Sequence, residues 1–129
     1  MKYRRILIVD DSATSRLIVK RCFEIAGYAD ATFLEAGDGA AALDLLRFER
    51  VDLVVTDLKM PRIDGHTLVK KLRSTAETKT LPVVVISSVA AASDDEPLFQ
   101  ENVAAIIQKP LSPAKLIHAL NEEQTHGSD

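Results

Sequence analysis

Ile6-Leu7-Ile8-Val9-Asp10-Asp11 is a short, unbroken apolar run that stops on two carboxylates. A strand with one solvated face alternates apolar and polar residues, whereas an unbroken run fits a strand covered on both faces. Similar runs recur at Val51 to Thr56, Val83 to Ser87 and Val103 to Gln108. The stretch Ala31-Thr32-Phe33-Leu34-Glu35 is more mixed and reads as a strand nearer the sheet edge.

Helical segments separate these runs. Ser12 or Thr14 can cap the first, with Leu17, Ile18, Cys22 and Ile25 as its apolar stripe and Gly27 where a left-handed terminal residue belongs. Asp38 can cap the second, which has an apolar face of Ala42, Leu45 and Leu46. Asp64 can cap the third, about Gly65 to Arg73, with Leu68, Val69 and Leu72 inward. Ser93-Asp94-Asp95-Glu96 is a capping box opening a short fourth helix, weakened by Pro97 and ended by Asn102. Ser112-Pro113 opens the fifth, whose core face is Leu116, Ile117 and Leu120. Strand and helix alternate five times, which predicts an α/β fold: a parallel sheet with helices on both faces.

Composition narrows the function classes. The chain has 129 residues, 47% of them hydrophobic, and a formal charge of −3. That length sets one domain as the expectation and supports a core without staples. Cys22 is the single cysteine, which excludes an internal disulfide and argues against a cysteine-built zinc site. The acidic balance argues against direct nucleic-acid binding. No apolar run approaches the ~18–20 residues of a membrane span, and the N-terminal apolar stretch is too short for a signal peptide. A cytoplasmic location is the expectation.

Ligand sites in such folds lie beyond the carboxyl ends of the strands. Those ends here are Asp10-Asp11, Thr56-Asp57, Ser87-Ser88 and Gln108-Lys109-Pro110. Three carboxylates, a hydroxyl and an ammonium therefore converge on one rim. Clustered carboxylates repel unless a cation neutralises them, and hard oxygen ligands suit Mg²⁺. Mg²⁺ and a lysine beside a carboxylate can bind a phosphoryl group, and the carboxylate itself can be the nucleophile. There is no glycine-rich phosphate loop.

These stretches resemble a known family. Ile-Leu-Ile-Val-Asp10-Asp11-Ser12, Asp57-Leu-Lys-Met60-Pro61-Arg-Ile-Asp64-Gly65, Val-Val-Val-Ile-Ser87-Ser88 and Lys109-Pro110 stand in the order and spacing of a response-regulator receiver domain of the chemotaxis single-domain type. The resemblance covers about residues 4–123. It implies a flavodoxin-like (βα)5 doubly wound sheet with strand order 2-1-3-4-5. The receiver would occupy residues 1–124, with 125–129 as a short tail.

The resemblance also implies roles. Asp57 matches the phosphoacceptor. Asp10 and Asp11 match the acidic pair that holds Mg²⁺ together with Asp57. Lys59 matches the position whose backbone carbonyl completes the metal site. Ser87 matches the switch hydroxyl, with Ser88 beside it. Lys109 matches the lysine that pairs with the acceptor and then the phosphoryl group, and Pro110 the proline joined to it by a cis bond. The implied partners are a sensor histidine kinase or histidine phosphotransfer protein, and a downstream protein on the face of the fourth helix, fifth strand and fifth helix, through which receivers also form homodimers.

Two positions depart from the pattern. Ile106 stands where an aromatic rotamer switch is usual, which puts relay in its usual form in doubt. Ser88 stands where a smaller residue is common.

Two other functions fit parts of this pattern. One is a Mg²⁺-dependent phosphatase or phosphotransferase working through an aspartyl-phosphate, but the paired-aspartate form needs a second Asp where Lys59 stands. The other is a phosphorylation-independent scaffold. Structural roles suffice for Cys22, a core residue, and for Lys70, Lys71 and Arg73, a solvated face. His66, His118 and His126 are too scattered for a metal cluster.

Overall fold

The computed structural model describes residues 2–60, 62–88 and 103–128, with the backbone alone from residue 122 onward. The expected fourth helix, with Ser93, Pro97 and Asn102, lies outside the described residues, as does Pro61. Five strands, β1 (Arg5–Val9), β2 (Thr32–Ala36), β3 (Leu53–Asp57), β4 (Val83–Ser87) and β5 (Ala105–Gln108), pair in parallel in the order β2-β1-β3-β4-β5. The helices are α1 (Ala13–Phe23), α2 (Gly39–Leu46), α3 (Gly65–Arg73) and α4 (Pro113–Ser128), the last being the fifth helix of the sequence pattern. This is the doubly wound topology that the resemblance implies, with the mixed strand β2 at the edge. The α4 backbone stays helical through Ser128, into the segment expected as a tail.

Alternation along each strand splits the core in two. Ile6, Ile8, Leu53, Val55, Val84 and Ile86 pack toward Phe23, Leu116 and Leu120. Leu7, Val9, Val54, Val83 and Val85 pack toward Ala42, Leu68 and Leu72. Both faces are covered, which is why the strands are apolar without interruption.

The caps are those expected. Ser12 accepts from the Ser15 amide, Asp38 from Ala41, Asp64 from Thr67 and Ser112 from Lys115. Each satisfies an orphan amide at a helix start. Gly27 takes φ 111° in the turn after α1, a conformation a Cβ disfavours.

Two apolar stripes differ from expectation. Leu17 and Ile18 on α1 and Ile25 just beyond it are exposed, while Cys22 faces the core as expected, together with Val19 and Phe23. Aromatic packing sets this orientation: the Phe23 ring meets Tyr28 edge-on at 5.6 Å and Phe33 at 6.1 Å. On α4, Leu116 and Leu120 are buried with Ala119, while Ile117 is 41% exposed. Among the described residues, no helix is long and apolar enough to cross a membrane.

Candidate functional site

Because every strand runs the same way, the residues that end β1, β3, β4 and β5 share one edge of the sheet. Asp10 is the first residue past β1. Its amide donates to the Ala36 carbonyl at 3.1 Å, extending the β1–β2 ladder by one rung. Its carboxylate accepts from the Ser12 amide at 2.9 Å and is nearly buried. Asp11 follows and is exposed. Asp57 closes β3, with its side chain only 11% exposed. One carboxylate oxygen each from Asp10, Asp11 and Asp57 lies within 4.8 Å of the others.

Lys109 faces this cluster. Its amide donates to the Ser87 carbonyl at 2.7 Å, which anchors the end of β5 to the end of β4. Its Nζ lies 3.1 Å from Asp57 Oδ1. That oxygen also accepts from the Leu58 amide at 2.9 Å. Among the described residues, Asp57 Oδ2 takes no hydrogen bond from the protein. The Lys109–Pro110 peptide is cis, as the resemblance implied. Lys115 Nζ donates to the Pro110 carbonyl at 2.9 Å and to the Gln108 carbonyl at 3.3 Å, fixing the turn that presents Lys109.

Ser87 is fully buried, and among the described residues its Oγ has no hydrogen-bond partner. A buried hydroxyl without a partner is costly, and its presence calls for an occupant or a movement that satisfies it. Ser88 is exposed, and Lys59 lies exposed in the loop between β3 and α3. Ile106 sits on the other face of the sheet from Ile107, partly buried against the cluster that includes Val54 and Val85.

Electrostatics follow from the crowding. Burial pushes the Asp10 carboxyl above its ordinary value, opposed by the Ser12 amide. The charges of Asp57 and Asp11 push it further up, and Lys109 pulls it down. Among the described residues a single ammonium faces three carboxylates, so the pocket is short of positive charge. The donor set is all hard oxygen, exposed to solvent at Asp11, which fits a small divalent cation such as Mg²⁺.

The loop that follows Asp57 is closely constrained. A Cβ on Gly65 would lie 2.9 Å from both the Asp57 carbonyl oxygen and Leu58 Cα. The Gly65 amide donates to the Leu58 carbonyl at 2.8 Å, which folds the loop back under the acceptor. Arg62 takes φ 68° and pairs with Asp38 at 3.3 Å.

Sequence reasoning missed Arg62, and it missed Arg16, which reaches the Asp10 carbonyl. The one signal in each case was a cation within six residues of a site aspartate, too common a pattern to single out. A hollow of about 390 Å³ opens between α1 and the β5–α4 turn, lined by Asp10, Ser15, Ile18, Lys109, Pro110 and Leu111 among others.

Comparison with known proteins agrees with this geometry. Residues 6–121 match the response regulator receiver domain model. The chain is 38% identical over 121 residues to the chemotaxis protein CheY-3 of Vibrio cholerae, covering 94% of this chain and 92% of that one. Among solved structures, a sensor protein from Polaromonas sp. JS666 superposes with a TM-score of 0.81 at 26% identity, covering 95% of this chain and 97% of that one. The chemotaxis protein CheY4 of Vibrio cholerae superposes with a TM-score of 0.74 at 26% identity, covering 92% of this chain and 97% of that one. Motifs, strand order and relatives agree: the chain belongs to the response regulator receiver domain family and is a two-component signalling module.

Proposed function

We propose that Asp57 is the phosphoacceptor of this receiver and that Asp10, Asp11 and Asp57, with the Lys59 carbonyl, hold Mg²⁺. The observation that carries this reading is the convergence of three carboxylates, Lys109 Nζ and the orphaned Ser87 hydroxyl on one sheet edge. When bound, Mg²⁺ supplies charge neutralisation for the carboxylates and for a phosphoryl group.

The chain's own residues do the rest. Asp57 Oδ2 attacks the phosphorus of a phosphohistidine in line; the new O–P bond forms as the N–P bond breaks, and the imidazole leaves. Lys109 gives up its bond to Asp57 Oδ1 and takes a phosphoryl oxygen. Ser87 donates its hydroxyl to another, which satisfies the buried oxygen. This movement biases the face around β5 between two states.

The donor is a histidine kinase or histidine phosphotransfer protein, for which exposed Leu17 and Ile18 on α1, beside the pocket, offer apolar contact. A downstream protein would read the face around β5 and α4, which is also the surface for any homodimer. The receiver unit spans residues 1–124 and works in the cytoplasm as a switch rather than an enzyme.

Labelling from a small phosphodonor with Mg²⁺ tests this. Wild type is expected to take up phosphate and Asp57→Ala none. Equal labelling of the two would overturn the assignment, and multiple turnover on a phosphomonoester would favour an enzyme.

A further inference from the structure

Asp10 is held from outside the pocket by a residue that phosphoryl transfer does not use. Arg16 Nη1 donates to the Asp10 carbonyl at 2.7 Å, and Arg16 Nε donates to Glu35 Oε1 at 2.8 Å. The Arg16 side chain is only 19% exposed, against 48% for Glu35. A guanidinium bridging a strand-end carbonyl and an edge-strand carboxylate is a directed, two-point contact that a lysine cannot copy. It is also unlike an ordinary surface ion pair, because its shorter bond is to backbone.

The carbonyl it grips belongs to the peptide between Asp10 and Asp11. Asp10 is thereby fixed at three points: its amide on Ala36, its carboxylate on the Ser12 amide, its carbonyl on Arg16. Asp11 has no such support. Among the described residues, no hydrogen bond or ion pair holds its carboxylate. It is exposed, and it is repelled by two carboxylates whose oxygens lie within 4.8 Å of its own. Left to itself it would turn toward water. Its backbone starts from the Asp10–Asp11 peptide, and the side chain that grips that peptide's carbonyl is Arg16.

We propose that Arg16, oriented by Glu35, is a positioning residue that preorganises Asp10 and Asp11 for a divalent cation. Supporting partners of metal ligands commonly change affinity by about 10–100-fold when removed. The assignment rests on the reading that this cluster takes Mg²⁺.

The sign of the effect separates positioning from simple charge. Arg16→Ala removes a positive charge near an acidic pocket, so electrostatics alone would tighten Mg²⁺ binding. Loss of positioning would weaken it.

The test is calorimetric titration of the full chain with MgCl₂, with thermal unfolding in the absence of metal as a check of folding. Wild type is expected to bind. Arg16→Ala is expected to bind about tenfold more weakly, and Arg16→Lys, which retains the charge, nearly as weakly. Glu35→Gln, which keeps an oxygen for Arg16 Nε, is expected to stay near wild type. In phosphodonor labelling, Arg16→Lys should need more Mg²⁺ for half-maximal rate yet reach the wild-type rate at saturation. Equal or tighter Mg²⁺ binding by a folded Arg16 variant would overturn the assignment while leaving the metal reading intact. Absence of binding by wild type would overturn both.

Discussion

Lys109 Nζ lies 3.1 Å from Asp57 Oδ1, so an ammonium from just past β5 occupies one oxygen of the candidate acceptor and leaves the other to the pocket. That pairing links two strands that are not neighbours in the sheet. It also makes Lys109 a competitor of any cation that enters the cluster. Lys109→Gln is therefore expected to bind Mg²⁺ at least as tightly as wild type, because like charge has been removed. Its phosphoryl transfer should slow on the order of 10²-fold, the usual loss for one donor to a developing anion. Calorimetry and labelling of the same variant check the two halves, and weaker Mg²⁺ binding would contradict the first.

The raised Asp10 carboxyl has a consequence for stability. Its folded-state proton affinity exceeds that of the unfolded chain, whose value is near 3.8. The folded state thus binds more protons in the window just above 3.8, and stability falls as pH rises through that window toward the raised value. Above it the penalty persists. Asp10→Asn should accordingly melt a few degrees higher than wild type at neutral pH without metal, and the difference should vanish below the unfolded value. Adding Mg²⁺ should reverse the order, since only wild type keeps the full ligand set. Thermal scans across pH, with and without Mg²⁺, decide it.

Gly65 has no room for a side chain against the acceptor's own backbone. A methyl at that position would press on the Asp57 carbonyl and Leu58 Cα, and neither can rotate away. Gly65→Ala is expected to cost about 1–3 kcal/mol, seen as a fall in melting temperature of roughly 5–10 °C. A melting temperature within a degree of wild type would show that the loop has slack.

Arg62 sits at φ 68°, where a long side chain is uncommon. Its pair with Asp38 is 69% exposed on the arginine side and so contributes little. Arg62→Asn, which tolerates this backbone better, should leave stability unchanged or raise it by about 0.5–1 kcal/mol. Urea unfolding measures this, and a loss larger than 1 kcal/mol would mean that the ion pair outweighs the strain.

Much of this was legible in the residues. Unbroken apolar runs gave the buried strands, and Ser12, Asp38, Asp64 and Ser112 marked the helix starts, because both signals are local. The rim residues were legible once the strands were known to be parallel, since each stands at a strand end. Helix facing was not. Leu17, Ile18 and Ile25 line up with Cys22 as well as Val19 and Phe23 do, and the choice is made by Phe33 and Tyr28, which are distant or irregular in the pattern. Arg16 and Glu35 were missed for the same reason: a bond across nineteen residues leaves no periodic trace. Ile106 was noticed as a departure, and the structure adds that its side chain packs with the α2 and α3 side of the core.

The common direction of the five strands divides the molecule into a working end and a blank one. The connections at the blank end, around residues 47–52 and 75–82, carry none of the pocket's residues. The turn at Thr75 to Thr80 leads back into β4 at the end opposite Ser87. A reporter or second domain spliced there would hang from the far side of the sheet, and the acidic rim would keep its chemistry while carrying a passenger. The fold thus offers an engineer an attachment point that its chemistry never has to notice.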